Sequence, residues 1–159
     1  MPRVVLYQPQ IPPNTGNVAR TCAATGTELH LVEPLGFAIT DRTLKRAGLD
    51  YWPWVSLQRH GDWRAFLEHR QALGGRLLAL SRHASTSYLD CPFQHSDWLL
   101  FGRETDGLPG DVLQRCDLCL TIPMPCSSDR AGGGVRSLNL SVSVGIVLFE
   151  ALRQLGSKS

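Results

Sequence analysis

The apolar positions of this chain fall into short runs separated by polar stretches that carry Gly and Pro. Arg3 to Tyr7 (RVVLY) is β-branched and is stopped by prolines, which predicts a first strand. Glu28 to Val32 (ELHLV) predicts a second. Arg76 to Leu80 (RLLAL), Asp97 to Phe101 (DWLLF) and Leu118 to Ile122 (LCLTI) are continuous apolar runs, as expected of strands buried on both faces. Helical signals fill the intervals. Asn14 is placed to cap a helix that begins near Thr15, passes Cys22 and Ala24 and ends at Gly26. Asp41 to Ala47, stopped by Gly48, predicts another. Trp52 to Leu57 leads through Arg59, His60 and Gly61 into a helix over Asp62 to Gln71, where Trp63, Phe66 and Leu67 recur at core spacing. A short helix is expected over Asp111 to Arg115. From Leu138 to Leu152, large apolar residues interleave with Ser141, Ser143, Gly145 and Ala151, so that helix should be covered nearly all round.

Strands alternating with helices predict an α/β fold, a mainly parallel sheet with helices on both faces. Ligands of such sheets bind beyond the carboxyl ends of the strands. Three polar, Gly-bearing loops follow strand candidates: Asn14 to Gly16, Gly102 to Gly107, and Gly132 to Ser137. Their shared placement gathers Arg20, Glu104, Ser137 and Asn139 around one expected pocket.

The length of 159 residues suits one domain spanning 1–159. A formal net charge of +2 does not announce nucleic-acid binding, although it permits a local basic face. The N-terminus lacks a signal-peptide pattern, and the longest apolar segment is too short and serine-rich to span a bilayer, so a cytoplasmic protein is expected. The five cysteines are odd in number and unevenly spaced, which favours reduced thiols. Cys91, His95, Cys116 and Cys119 offer a zinc reading, but with irregular spacing; ordinary thiols are preferred and no metal is expected.

Several chemistries lose ground. No G-x-G-x-x-G follows the first strand, and Gly107 is followed by Leu108 and Pro109 where a P-loop requires Lys and Ser or Thr. No G-x-S-x-G nucleophile elbow exists. The residues alone describe a small-molecule pocket with an arginine, a carboxylate and amide donors.

Three blocks in order carry a more specific likeness: Asn14-x-Gly16-Asn17-x-x-Arg20, Leu100-Phe101-Gly102-x-Glu104-x-x-Gly107-Leu108-Pro109, and Ile122-Pro123-Met124 with Ser137-Leu138-Asn139-Leu140-Ser141. Together they resemble the SPOUT superfamily of RNA methyltransferases. Tyr7-x-Pro9-x-Ile11-Pro12-Pro13, Glu33-Pro34-x-Gly36-Phe37 and Arg46-Ala47-Gly48-Leu49-Asp50-Tyr51, without a separate RNA-binding domain, are similar to its TrmL branch. That resemblance implies a C-terminal deep trefoil knot, a homodimer, S-adenosylmethionine as cofactor, and 2′-O-methylation of the wobble nucleotide in the anticodon stem-loop of leucine tRNAs. A SPOUT enzyme with another tRNA or rRNA target, or a non-catalytic RNA-binding relative, stays open. By position, Leu80, Gly102, Ile122 and Ser137, with Leu138 beside them, match cofactor contacts. Asn14, Arg20, Glu104 and Asn139 match catalytic or supporting positions. RNA binding is expected of Arg42, Lys45, Arg46, Arg59, Arg64, Arg82 and Arg136, with a steep loss of affinity on adding salt. The loop between Met124 and Ser137 is longer and richer in glycine than the compact form of this branch.

Overall fold

The computed structural model describes residues 1–39, 52–125 and 137–156. The expected helix over Asp41 to Ala47, Arg42, Lys45, Arg46 and Arg136, Cys126 and Gly132 to Gly134 lie outside the described residues.

Seven strands form one sheet: β1 (Arg3–Tyr7), β2 (Leu29–Val32), β3 (Leu57–His60), β4 (Leu77–Leu80), β5 (Thr86–Ser87), β6 (Trp98–Phe101) and β7 (Leu118–Thr121). Their spatial order is β3-β2-β1-β6-β4-β7-β5, and every pairing is parallel. The α-helices among the described residues are α1 (Pro12–Thr25), α2 (Trp63–Leu73), α3 (Gly110–Leu113) and α4 (Leu140–Gln154).

Alternation along each central strand divides the core. Val4, Leu6, Leu99, Phe101 and Leu78 face one layer with Val18, Cys22, Val144, Val147 and Leu148 of α1 and α4. Val5, Tyr7, Trp98, Leu100 and Leu77 face the other, with Phe66 of α2 and Val112 of α3. Both faces of the central strands are thus covered, as their continuous apolar runs predict; β7 departs from the expectation, with Leu118 39% exposed and only Leu120 buried. Trp63 and Leu67 pack at the margin of the second layer around buried Phe66.

The departures have local causes. Helix α1 starts earlier than expected, with Ile11 at the N-cap and no capping side chain. Pro12 and Pro13 lack N–H groups and are preset for a first helical turn, so they open the helix instead of ending a loop. Asn14 lies inside that turn and does not cap it. Strand β3 (LQRH) is a polar edge strand, exposed at Gln58 and Arg59, and carries no apolar alternation. Asp62 caps α2 by accepting from the Ala65 N–H at 2.8 Å. Helix α4 buries Val144, Val147, Leu148 and Ala151, but Val142 and Phe149 remain 49% and 57% exposed. One chain alone therefore covers this helix on only part of its circumference.

At the carboxyl ends of the strands the chain is tied tightly. Gly102 follows β6, and a Cβ there would stand 2.5 Å from the Gly107 carbonyl carbon and 2.7 Å from the Leu108 nitrogen. Only glycine lets the loop return so closely on itself. Gly107 turns it at φ +71°, and Arg103 and Gly107 exchange both backbone hydrogen bonds.

Candidate active site

A cleft of about 750 Å³ opens where β4, β6 and β7 end, as the topology of a parallel sheet leads one to expect. Leu80, Gly102, Ile122, Ser137 and Leu138 line it, together with Asn14, Glu104 and Asn139. Eight of the nine candidate cofactor and catalytic residues are therefore brought together. The ninth, Arg20, is exposed on α1 and is not among the lining residues.

Two asparagines join the helices that border the cleft. Asn139 is the N-cap of α4; its Oδ1 accepts from the Ser141 N–H at 2.9 Å and from the Ser141 hydroxyl at 2.6 Å. Its Nδ2 donates to Asn14 Oδ1 at 2.8 Å. Asn14, 6% exposed, is thus a link from the first turn of α1 to the start of α4. The two residues are 125 positions apart in sequence, so a local capping rule could not foresee the bond.

Glu104 makes a second long-range tie. Its carboxylate accepts from the Gln10 N–H at 2.9 Å and the Ile11 N–H at 3.1 Å. Each oxygen holds one backbone donor just ahead of α1, so the charge fixes the β1–α1 loop. Thr105 donates to Gln10 Oε1 at 2.8 Å and Arg103 to Gln8 Oε1 at 2.8 Å, strengthening the same contact. Arg103 also forms a two-point ion pair with Asp106, at 2.7 and 2.9 Å. Hydrogen bonding from the Arg103 guanidinium holds the Asp106 carboxyl below its usual range. Loop 102–107 is consequently a braced wall of the cleft.

Of the segment Ser81 to Ala84, which also lines the cleft, sequence reasoning singled out Arg82 alone, and for RNA rather than for the cleft. The segment carries no glycine, and the available signal was only its position after an apolar strand. Arg82, expected at RNA, lies in this lining and contacts His83 Nε2 at 3.3 Å. Arg59 on β3 pairs with Glu33, and Arg64 on α2 pairs with Glu68 at 3.3 Å. None of the described cysteines is in a disulfide, and Cys91, His95, Cys116 and Cys119 do not form a metal-ligand group among the described residues. Burial pushes the Cys22 and Cys116 thiols up to about 12, which keeps them protonated.

The sequence pattern of the SpoU rRNA methylase family matches residues 1–149. The chain belongs to that family. A tRNA (cytidine(34)-2′-O)-methyltransferase of Escherichia coli K12 is 46% identical over 98% of this chain and 95% of its own. A solved structure concerned with 2-OH methylation of C/U34 on tRNA superposes with a TM-score of 0.87 at 52% identity, covering 98% of this chain and 96% of that one. An AdoMet-bound rRNA methyltransferase from Sinorhizobium meliloti gives a TM-score of 0.82 at 28% identity, over 98% of this chain and 57% of that one. The SpoU likeness extends across the sheet, the cleft and most of α4. No helix among the described residues is long and apolar enough to cross a membrane.

Proposed function

We propose that this protein transfers a methyl group from S-adenosylmethionine to the 2′-hydroxyl of nucleotide 34, cytidine or uridine, of leucine tRNAs, in the cytoplasm. The observation that carries the reading is the convergence of eight candidate residues on one cleft at the ends of β4, β6 and β7. Likeness to C/U34-modifying proteins over nearly the whole chain supports the position.

The cleft suits the cofactor. Its volume falls within the range of about 300–1,000 Å³ common for small-molecule sites. Leu80, Ile122 and Leu138 give apolar walls for a purine, while Ser81, Thr121 and Ser137 give polar groups beside them. S-adenosylmethionine supplies an electrophilic methyl group carried on a sulfonium. The chain's own task is to hold a ribose oxygen in line with it and to assist loss of one proton.

Glu104 positions the wall of the site in this reading, because both its oxygens already accept from backbone N–H groups. Asn14 and Asn139 fix the relative placement of α1 and α4. The Arg20 guanidinium offers donors and no acceptor, so its role is to bind the phosphate beside nucleotide 34 and polarise the hydroxyl. Solvent or RNA then receives the proton.

The exposed Val142 and Phe149 support a homodimer in which a second copy covers the remaining face of α4. In this reading the loop before α4 is threaded as a trefoil knot, and Arg20 acts at the shared site. Dispersed bases, Arg42, Lys45, Arg46, Arg59, Arg64, Arg82 and Arg136, hold the anticodon stem-loop. Calorimetry with S-adenosylmethionine tests the reading: an enzyme binds it, whereas a non-catalytic RNA-binding relative gives no cofactor heat. Full methylation by an Arg20→Ala protein would overturn the role given to Arg20.

A further inference from the structure

Three histidines outside the cleft converge between the sheet edge and α2. His30 lies on β2, His60 ends β3 and His69 lies on α2. One ring nitrogen from each falls within 4.8 Å of the others. His30 is fully buried and His60 is 7% exposed. His30 Nδ1 and His60 Nε2 are 2.9 Å apart, a hydrogen bond between rings. The Nε2 of half-buried His69 is shut off from solvent with no hydrogen-bond partner.

The surroundings are those of a ligand site. Glu28 Oε2 lies 3.2 Å from His30 Nε2 and also receives Arg3 Nε at 3.0 Å. A carboxylate on Nε2 makes that nitrogen the donor, which leaves the Nδ1 lone pair of His30 directed into the cluster. Such a carboxylate–histidine pair commonly orients metal ligands from behind. Phe66 and Trp98 pack on the rings, with centroids 5.3 Å from His60 and 4.9 Å from His30.

We propose that His30, His60 and His69 form a binding site for a divalent transition metal, with zinc the best fit. Three imidazoles and no thiolate match a site with one position left for water. Zinc–nitrogen bonds of about 2.0–2.1 Å place tetrahedral ligands roughly 3.4 Å apart. Reaching that spacing from 4.8 Å or less requires modest turning of the rings, and His69, the least buried of the three, comes from the separate element α2. Entry of the ion replaces the hydrogen bond between His30 and His60 and gives the unpartnered nitrogen of His69 a ligand. None of the three residues lines the cleft, so the site is independent of methyl transfer.

The test is titration of the metal-free full chain with Co²⁺, read by visible absorption, and with Zn²⁺, read by calorimetry and thermal melting. One ion per chain and a raised melting temperature are expected. His69→Ala should abolish both responses, judged against its own metal-free melt because alanine also loses the ring contacts with His30, His60 and Trp98. Glu28→Gln should weaken binding on the order of 10–100-fold. Absence of binding to the unsubstituted chain, or binding retained in the His69→Ala protein, would overturn the proposal.

Discussion

Replacing Glu104 by Gln separates a bracing carboxylate from a proton acceptor. The carboxylate accepts from two backbone N–H groups, at 2.9 and 3.1 Å. An amide keeps one acceptor but turns an NH₂ toward the other N–H, so one charge-assisted bond is lost and one backbone donor is stranded. Hydrogen bonds to charged groups contribute about 1.5–3 kcal/mol. Partial exposure of this pair favours the lower end, about 1.5–2 kcal/mol. For a domain of this size that corresponds to a melting temperature lower by roughly 3–8 °C. The assay pairs urea unfolding with single-turnover methyl transfer at saturating cofactor and RNA. The expected result is a lower midpoint at constant m-value, weaker cofactor binding and a methyl-transfer step slowed less than tenfold. Unchanged stability with the methyl-transfer step slowed by about 100-fold or more, the range of lost general-base catalysis, would refute the bracing role.

Other outcomes follow from the same geometry. Gly102→Ala puts a Cβ 2.5 Å from backbone, so loop 102–107 must shift; cofactor affinity measured by calorimetry should fall at least tenfold. Asn14→Ala and Asn139→Ala should be non-additive, with a coupling of about 0.5–1.5 kcal/mol in urea unfolding, because they share one hydrogen bond. Acid should destabilise the metal-free protein through His60, whose pKa burial lowers to about 4, with His30 and His69 facing it. The folded value lies below the unfolded one of 6.5, so the unfolded state binds the proton first. Stability is full above about pH 6.5 and declines toward pH 4 by on the order of 2 kcal/mol, after allowance for screening at the sheet edge. Unfolding midpoints measured across that interval, compared with His60→Gln, check this.

What the sequence disclosed depended on whether the signal was local. The strands around Leu6, Leu78 and Leu100 were legible because burial on both faces leaves an unbroken apolar run. Edge strand β3 was not, since Gln58 and Arg59 face water and pairing with β2 is made by backbone groups of any residue. Pro12 and Pro13 read as a stop to the first strand ahead of a helix near Thr15, whereas the fold uses them as the first helical turn. The loops bearing Glu104 and Asn139 could be placed at one end of the sheet from topology alone. Their partners, Gln10, Ile11 and Asn14, lie 93 to 125 residues away and required the folded chain. His30, His60 and His69 carried no motif spacing, because three separate elements bring them together. The largely apolar α4 predicts cover nearly all round, but within one chain Val142 and Phe149 stay exposed.

The central claim is methylation of one ribose in one class of RNA. Leucine tRNA lacking the modification should be incubated with the protein and S-adenosylmethionine, digested, and each nucleotide mapped by mass spectrometry. A single added methyl on the 2′-oxygen of nucleotide 34 is predicted. A methyl group at another nucleotide or on a base, or none despite cofactor binding, would contradict it.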